Sequence, residues 1–286
     1  MENGNMNNKV VLITGSNSGI GKATSIALAR LGAHVVMMAR NREKGEAARQ
    51  EVISTSGNNQ VDLMLCDLAC LDSIRRFTTE FQEKYDRLDV LINNAGIFTT
   101  QRQVTSDGFE YQIGVNHLGH FLLTNLLLDL LKKSTPSRIV IVSSLGHFAG
   151  KIHFNDLHLE KHYHPWKSYF QSKLATMLFG YELSRRLTGS AVTVNCLHPG
   201  VVRTRFAVDR TSDRQNLIMR LSNLINISPS AGAETSVYLA SSPEVEGVTG
   251  KYFVRKKIRA SSRASYDLGV ADKLWKLSEE ITGTRT

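Results

Sequence analysis

Seven short apolar runs alternate along the chain with longer stretches of helical periodicity. That alternation constrains the fold more than any other feature. The runs are Lys9–Ile13, His34–Met38, Val61–Cys66, Asp89–Ile92, Arg138–Ser143, Val192–Cys196 and Lys251–Val254. Several are apolar throughout, as strands buried on both faces of a parallel sheet must be. Helical patterns fall near Gly19–Leu31, Arg42–Thr55, Leu71–Tyr85, Asp107–Lys133, Ser168–Leu187 and Ser230–Leu239. Ser228 and Pro229 supply an N-cap and a first-turn proline for the last of these. Strand–helix alternation requires right-handed crossovers. The expected architecture is therefore α/β: a doubly wound, mostly parallel, seven-stranded sheet with helices on both faces. No linker, repeat or low-complexity tract divides the 286 residues, so 1–286 reads as a single domain. Two segments escape the rhythm, Leu145–Trp166 and Val201–Ile227. Both follow strands, which puts them at the carboxyl edge where such sheets bind ligands.

The first strand runs into Gly15, Gly19 and Gly21, spaced G-x-x-x-G-x-G before a helix. A pyrophosphate can rest on a helix N-terminus, where free N–H groups and the helix dipole favour negative charge. Side chains on the turn would block its approach, so the turn is glycine-rich. A phosphate P-loop needs four residues between its glycines and Ser or Thr after the lysine. Here five residues separate Gly15 from Gly21, and Ala23 follows Lys22. Placed between a strand and a helix, the turn favours nucleotide binding, as in a Rossmann unit, over a plain flexible turn. Such folds place an acid about 20 residues on to hold a ribose 2′-hydroxyl, or an arginine nearby for a 2′-phosphate. The second strand ends in "MMARNREKG", with no acid. Arg40, helped by Arg42 or Lys44, therefore points to NADP(H) over NAD(H). Asp67, after the third strand, either meets the adenine edge or caps the following helix.

The formal net charge is +9, from 35 basic and 26 acidic residues. The charges are scattered. The densest group, Arg255, Lys256, Lys257, Arg259 and Arg263, lacks the interleaved aromatics of a nucleic-acid surface and reads as a solvated patch. Cys66, Cys70 and Cys196 form no disulfide framework and lack the companion ligands of a zinc site. No apolar run approaches the ~20 residues of a membrane helix. "FLLTNLLLDLL" is too short and holds Asn125 and Asp129. The opening "MENGNMNN" has no charged-then-apolar signal pattern. The expectation is a soluble, cytoplasmic protein with no integral membrane segment. Peripheral membrane contact through its basic, amphipathic regions stays open.

Further motifs end the later strands: "NNAG" (Asn93–Gly96), "IVIVSSLGH" with Ser143 and Ser144, and "LHPGVVRT" with Pro199, Gly200, Val202 and Thr204. "GVNHLGHF" places Asn116 within a long apolar helix. "SYFQSKLA" sets Tyr169 and Lys173 four residues apart, on one helix face. At these residues, and over nearly its whole length, the chain resembles the short-chain dehydrogenase/reductase family. The details "ARNREKG", "VNHLGHFLLT" and "ADKLWKLSEEITG" are most similar to its retinol-dehydrogenase-like branch, which includes the dehydrogenase domain of WW-domain oxidoreductases.

The resemblance implies hydride transfer between a nicotinamide and a hydrophobic carbonyl or alcohol. Tyr169 would give or take the proton. Free tyrosine, with a pKa near ~10, is too weakly acidic for base work at neutral pH, and the charge of Lys173 should lower it. Ser144 would hydrogen-bond the substrate oxygen, and Asn116 would hold a water leading from Lys173 to solvent. Lys173 would also hold the nicotinamide ribose. Gly15, Ser16, Asn17, Ser18, Gly19, Ile20 and Gly21 would form the pyrophosphate turn. Arg40, Lys44, Asp67 and Leu68 would meet the adenosine end. Asn94, Ala95 and Gly96 would pass beside the cofactor, and Pro199, Gly200, Val202 and Thr204 would meet its carboxamide and phosphates. A dimer or tetramer through exposed helices is implied, with a monomer left open. Retinol-active relatives typically carry an N-terminal membrane anchor. The polar opening of this chain is read as weighing against a retinoid role.

Ser144 and Tyr169 stand 25 positions apart, wider than in common family members. The insertion holds His147, His153, His158, His162 and His164. No metal-site spacing links them, so the segment reads as a mobile, partly exposed substrate lid, with Trp166 either a pocket wall or a core residue. Val201–Ile227 reads as an amphipathic flap opposite. The leading function is a reversible NADPH-dependent reductase; the alternative is a catalytically silent NADP(H)-binding sensor or scaffold.

Overall fold

The computed structural model describes residues 4–200 and 227–284. The calls at Val202 and Thr204, and the flap but for Ile227, lie outside them. The strands are β1 (Val10–Thr14), β2 (His34–Ala39), β3 (Val61–Leu65), β4 (Val90–Asn93), β5 (Ser137–Val142), β6 (Val192–His198), β7 (Lys251–Val254) and β8 (Lys257–Arg259). They form one sheet in the order β3-β2-β1-β4-β5-β6-β7-β8. Pairing is parallel through β7, and β8 alone runs antiparallel. The seven expected strands are all present. The eighth is a three-residue hairpin return with every residue exposed, so it carries no apolar signal to read. Its turn places Arg255 and Lys256 at positive φ (50° and 62°), the backbone of a tight hairpin.

The continuous apolar runs follow from burial on both faces. In β1, Val10 and Leu12 enter one core while Val11 and Ile13 enter the other. Successive side chains of a strand point to opposite faces, so both must be apolar when both faces are covered. One face is covered by α1 (Gly19–Arg30), α2 (Arg42–Ser56) and α8 (Pro229–Ser241). The other is covered by α3 (Leu71–Lys84), α5 (Gly119–Leu126) and α7 (Pro165–Arg186). In α3, Ile74, Phe77, Thr78 and Phe81 are buried at helical spacing.

The expected helix Asp107–Lys133 is four pieces. Residues 107–110 belong to a turn closed by the Val104–Glu110 bridge. The buried Glu110 carboxylate then accepts the N–H groups of Gln112 and Ile113, starting α4 at Tyr111–Ile113. A widened π turn, Gly114–Leu118, precedes α5, and α6 (Leu128–Lys133) follows a break at Leu127. A C-terminal helix, α9 (Leu268–Thr282), was not expected. Its signals are ordinary: Asp267 caps the Val270 N–H and Gly283 ends it in the left-handed region. It packs its Leu274 and Trp275 against the body, with Trp275 stacked on Phe179 of α7.

Candidate active site

The strand order reverses between β1 and β4, and a cleft of about 500 Å³ opens at their carboxyl ends. Gly15, Asn17, Arg40, Asp67, Leu68 and Ala95 line it. Gly15 has φ +64°, and a Cβ there would lie 2.9 Å from the Ala95 Cα. A Cβ on Gly21 would lie 2.4 Å from the Gly15 carbonyl oxygen. Glycine is therefore required for the turn to close on β4 and for α1 to start so near it. Ser18, the N-cap of α1, makes no side-chain cap bond. The first N–H groups of Gly19, Ile20 and Gly21 are thus left to an anion, which fits a pyrophosphate. Ser16 is turned inward, donating to the Met38 carbonyl at 3.3 Å. Asp67 lines the cleft and its carboxylate accepts the Ala69 N–H at 3.0 Å in the turn before α3; the N-cap of α3 itself is Cys70. Lys44 sits in the first turn of α2, its N–H on the Asn41 cap. Pro199 and Gly200 follow β6 at the same carboxyl edge.

Thr14, the last residue of β1, is the hub beneath this turn. Its Oγ1 accepts the N–H groups of Asn94 and Ala95, each at 2.9 Å. It also lies 2.9 Å from His120 Nε2. The other ring nitrogen, Nδ1, lies 3.3 Å from the Asn116 carbonyl and can only donate to it. A neutral His120 then accepts the Thr14 hydroxyl proton at Nε2. Burial agrees, pushing the His120 pKa down to about 4.

Asn116 lies in the π turn, and Thr176 Oγ1 donates to its carbonyl at 3.2 Å. Its amide clamps the chain after β4, accepting Ile97 N–H at 2.8 Å and donating to Ile97 O at 3.1 Å. It also donates to Ser172 Oγ at 2.9 Å. Ser172 precedes Lys173 on α7, so Asn116 ties that helix to the cleft floor. A Cβ on Gly96 would meet Lys173 Nζ at 3.1 Å and Asn116 Oδ1 at 3.7 Å, so the ammonium rests on the "NNAG" backbone.

Tyr169 and Lys173 are both buried, with Nζ 5.7 Å from the phenol ring centroid. Burial pushes the Lys173 pKa down to about 8. Burial also raises the Tyr169 pKa, and a hydrogen bond with the Ser144 hydroxyl opposes it. The expected lowering by Lys173 is not among the influences on this phenol, and burial sets the direction of its shift. The phenol is protonated at neutral pH, a proton donor in place. The two serines have different partners. Ser143 Oγ donates to the Lys173 carbonyl at 3.1 Å, while Ser144 accepts the Gly146 N–H at 3.2 Å and reaches Tyr169.

The insertion is anchored at several points. Buried Gln112 donates to Tyr163 Oη and the Pro165 carbonyl, both at 3.1 Å. Arg102 donates to the His158 carbonyl, and Gln171 accepts the His153 N–H. His147 is wholly buried. Its Nε2 accepts the Ser262 N–H at 3.2 Å, so its Nδ1 carries the hydrogen and donates to the Ser144 carbonyl at 2.6 Å. It is a neutral strut beneath Ser144. Among the described residues, no group of three or more His, Cys, Asp or Glu could hold a metal ion. Trp166 is half exposed and forms a wall beside the phenol, 4.5 Å from Phe98 and edge-on to Tyr169 at 6.3 Å between centroids. No helix among the described residues is long and apolar enough to cross a membrane.

A family model described as short chain dehydrogenase matches residues 9–215. Retinol dehydrogenase 14 of Homo sapiens is 50% identical, over 98% of this chain and 88% of its own length. Retinol dehydrogenase 13 of Homo sapiens is 46% identical, over 96% and 85%. The crystal structure of an uncharacterised protein from Mycobacterium Paratuberculosis superposes with a TM-score of 0.82 at 39% identity, covering 99% of this chain and 97% of that one.

Proposed function

The chain belongs to the short-chain dehydrogenase family and is an oxidoreductase, and from that premise we propose that it is an NADP(H)-dependent reductase of hydrophobic aldehydes and ketones, reversible to the alcohol. The observation that carries the reading is the cluster beside the cleft: the buried Tyr169 phenol, the half-buried Ser144 hydroxyl bonded to it, and the buried Lys173 ammonium. When bound, the nicotinamide supplies or accepts the hydride. Ser144 positions the substrate oxygen. Tyr169 delivers its proton to that oxygen as negative charge develops, and the Lys173 charge stabilises the phenolate left behind. Asn116 holds the floor of the site through Ile97 and Ser172. Its role in conducting a proton onward belongs to this proposal.

Arg40 on the cleft wall, with no acid at the end of β2, supports NADP(H) over NAD(H). The apolar surface of Phe98 and Trp166 beside the phenol supports an apolar substrate. The relatives' names bring retinal and retinol into the set to be tried first. Residues 1–286 are proposed to act as one unit, with 145–166 and 201–227 forming the substrate side. The test is NADPH oxidation with a panel of apolar carbonyls, retinal included, comparing wild type with Tyr169→Phe. Turnover by wild type and a loss of ~10²–10⁴-fold in the variant, with NADPH binding kept, is expected. NADPH binding by both proteins with no carbonyl reduced by either would overturn the reading.

A further inference from the structure

Residues 110–112 start α4, and their side chains do three different things. Glu110, wholly buried, caps the helix through the N–H groups of Gln112 and Ile113. Gln112, also wholly buried, holds the insertion through Tyr163 and Pro165. The backbone between them is fixed again where the Tyr111 N–H donates to the Gln103 carbonyl at 3.0 Å. Tyr111 itself turns the other way, into the cleft. It lines that space with Val115 one turn later, opposite the end of β2. From there its Oη accepts a hydrogen bond from Arg40 Nη1 at 2.6 Å. The two walls of the cleft are joined by this bond.

We propose that Tyr111 is a positioning residue for cofactor choice: it holds the Arg40 guanidinium at the adenosine end, so that the protein selects a dinucleotide carrying a 2′-phosphate. The inference rests on the NADP(H) reading above and adds to it a residue that no motif marks. An arginine at a strand end is otherwise a long, exposed side chain whose rotamer freedom must be lost on binding. A phenol on a rigid helix start removes part of that cost beforehand. The bond uses one of the five guanidinium N–H groups and leaves the others for phosphate oxygens. The phenol's own proton is not consumed by it. A ribose 2′-hydroxyl offers no such charge, so NADH gains little from the arrangement.

The test is calorimetric binding of NADPH and of NADH to four proteins: wild type, Tyr111→Phe, Arg40→Gln and the double variant. Tyr111→Phe keeps the ring and removes only the hydroxyl. The expected result is NADPH binding weakened about 5- to 20-fold, the size of one solvent-exposed hydrogen bond, with NADH binding within about twofold of wild type. In the Arg40→Gln background, Tyr111→Phe should have no further effect on the NADPH-to-NADH ratio. An unchanged ratio in Tyr111→Phe, with wild-type NADPH preference intact, would overturn the inference alone. An equal effect in both backgrounds would overturn it too, since the phenol would then act without Arg40. Equal affinity of wild type for the two dinucleotides would overturn the NADP(H) reading and the inference with it.

Discussion

The Thr14 hydroxyl and the His120 ring meet at 2.9 Å beneath the glycine turn, and each is bonded onward to a different part of the site. Thr14 holds Asn94 and Ala95; His120 holds the Asn116 carbonyl. Thr14→Val keeps the shape but strands two N–H groups and a ring nitrogen. At ~1–3 kcal/mol for the buried ring nitrogen and less for each of the two part-buried N–H groups, chemical denaturation should show a loss of ~2–5 kcal/mol, with weakened dinucleotide binding. Thr14→Ser, which keeps the hydroxyl, should recover most of both. Equal stability of Thr14→Val and wild type would show that the hub holds nothing.

Ser143 and Ser144 should separate cleanly in kinetics. Ser144 reaches the phenol, whereas Ser143 is spent on the Lys173 carbonyl. Ser144→Ala should lower kcat/KM for carbonyl reduction by ~10²-fold or more, as loss of an oxyanion donor does, ~2.7–4 kcal/mol. Ser143→Ala should cost ~1 kcal/mol of stability and leave kcat/KM within a few-fold. The reverse ranking would move the substrate oxygen to Ser143.

These pairings mark the limit of what the sequence discloses. Gly15, Gly21 and the Tyr169/Lys173 pair are legible because their geometry is local: a turn, or one step along a helix. The sheet is legible because burial on both faces leaves apolar runs. His147 is not, since its role depends on Ser262, 115 positions away. Tyr111 meets Arg40 across 71 positions, and no pattern within α4 reports it. The π turn at Asn116 replaces an apolar helix with another apolar helical form, so periodicity hardly changes. The start at Tyr111 was hidden by Glu110, a buried carboxylate acting as cap where a hydroxyl or Asp is the usual signal. Helix α9, by contrast, could have been read from Asp267 and Gly283.

Buried neutral histidines give the fold an acid limit. Burial pushes His117 down to about 3, and His120 and His198 to about 4. Each folded-state value lies below the ordinary 6.5, so the unfolded chain takes up protons first as pH falls. Their stabilising contribution is full above pH 6.5 and is lost as pH drops toward 4. Each group contributes a slope of up to ~1.4 kcal/mol per pH unit in that window. Unfolding free energy should therefore fall steeply between pH 6.5 and 4.5. His120→Gln should reduce proton uptake on unfolding by about one in the same window. A flat profile from pH 7 to 4.5 would mean these rings are charged in the folded protein.

Lys173 sets a limit on the alkaline side, of a different kind. Its folded value, about 8, lies below the usual 10.5 because the ammonium is buried. Between those two values the unfolded chain holds the extra proton, so stability rises with pH there. Activity should move the opposite way. Tyr169, raised by burial, keeps its proton through neutral pH, so the proposed acid for carbonyl reduction is present. What is lost above about 8 is the Lys173 charge proposed to stabilise the phenolate left by proton transfer. kcat/KM reports groups of the free enzyme. For reduction it should be level from pH 6.5 to 7.5 and fall about tenfold per pH unit well above 8. A guanidinium stays charged throughout this range, so Lys173→Arg, at whatever lower rate it retains, should show no such limb. A limb that persists unchanged in Lys173→Arg would assign it to Tyr169 and leave the ammonium a purely structural role.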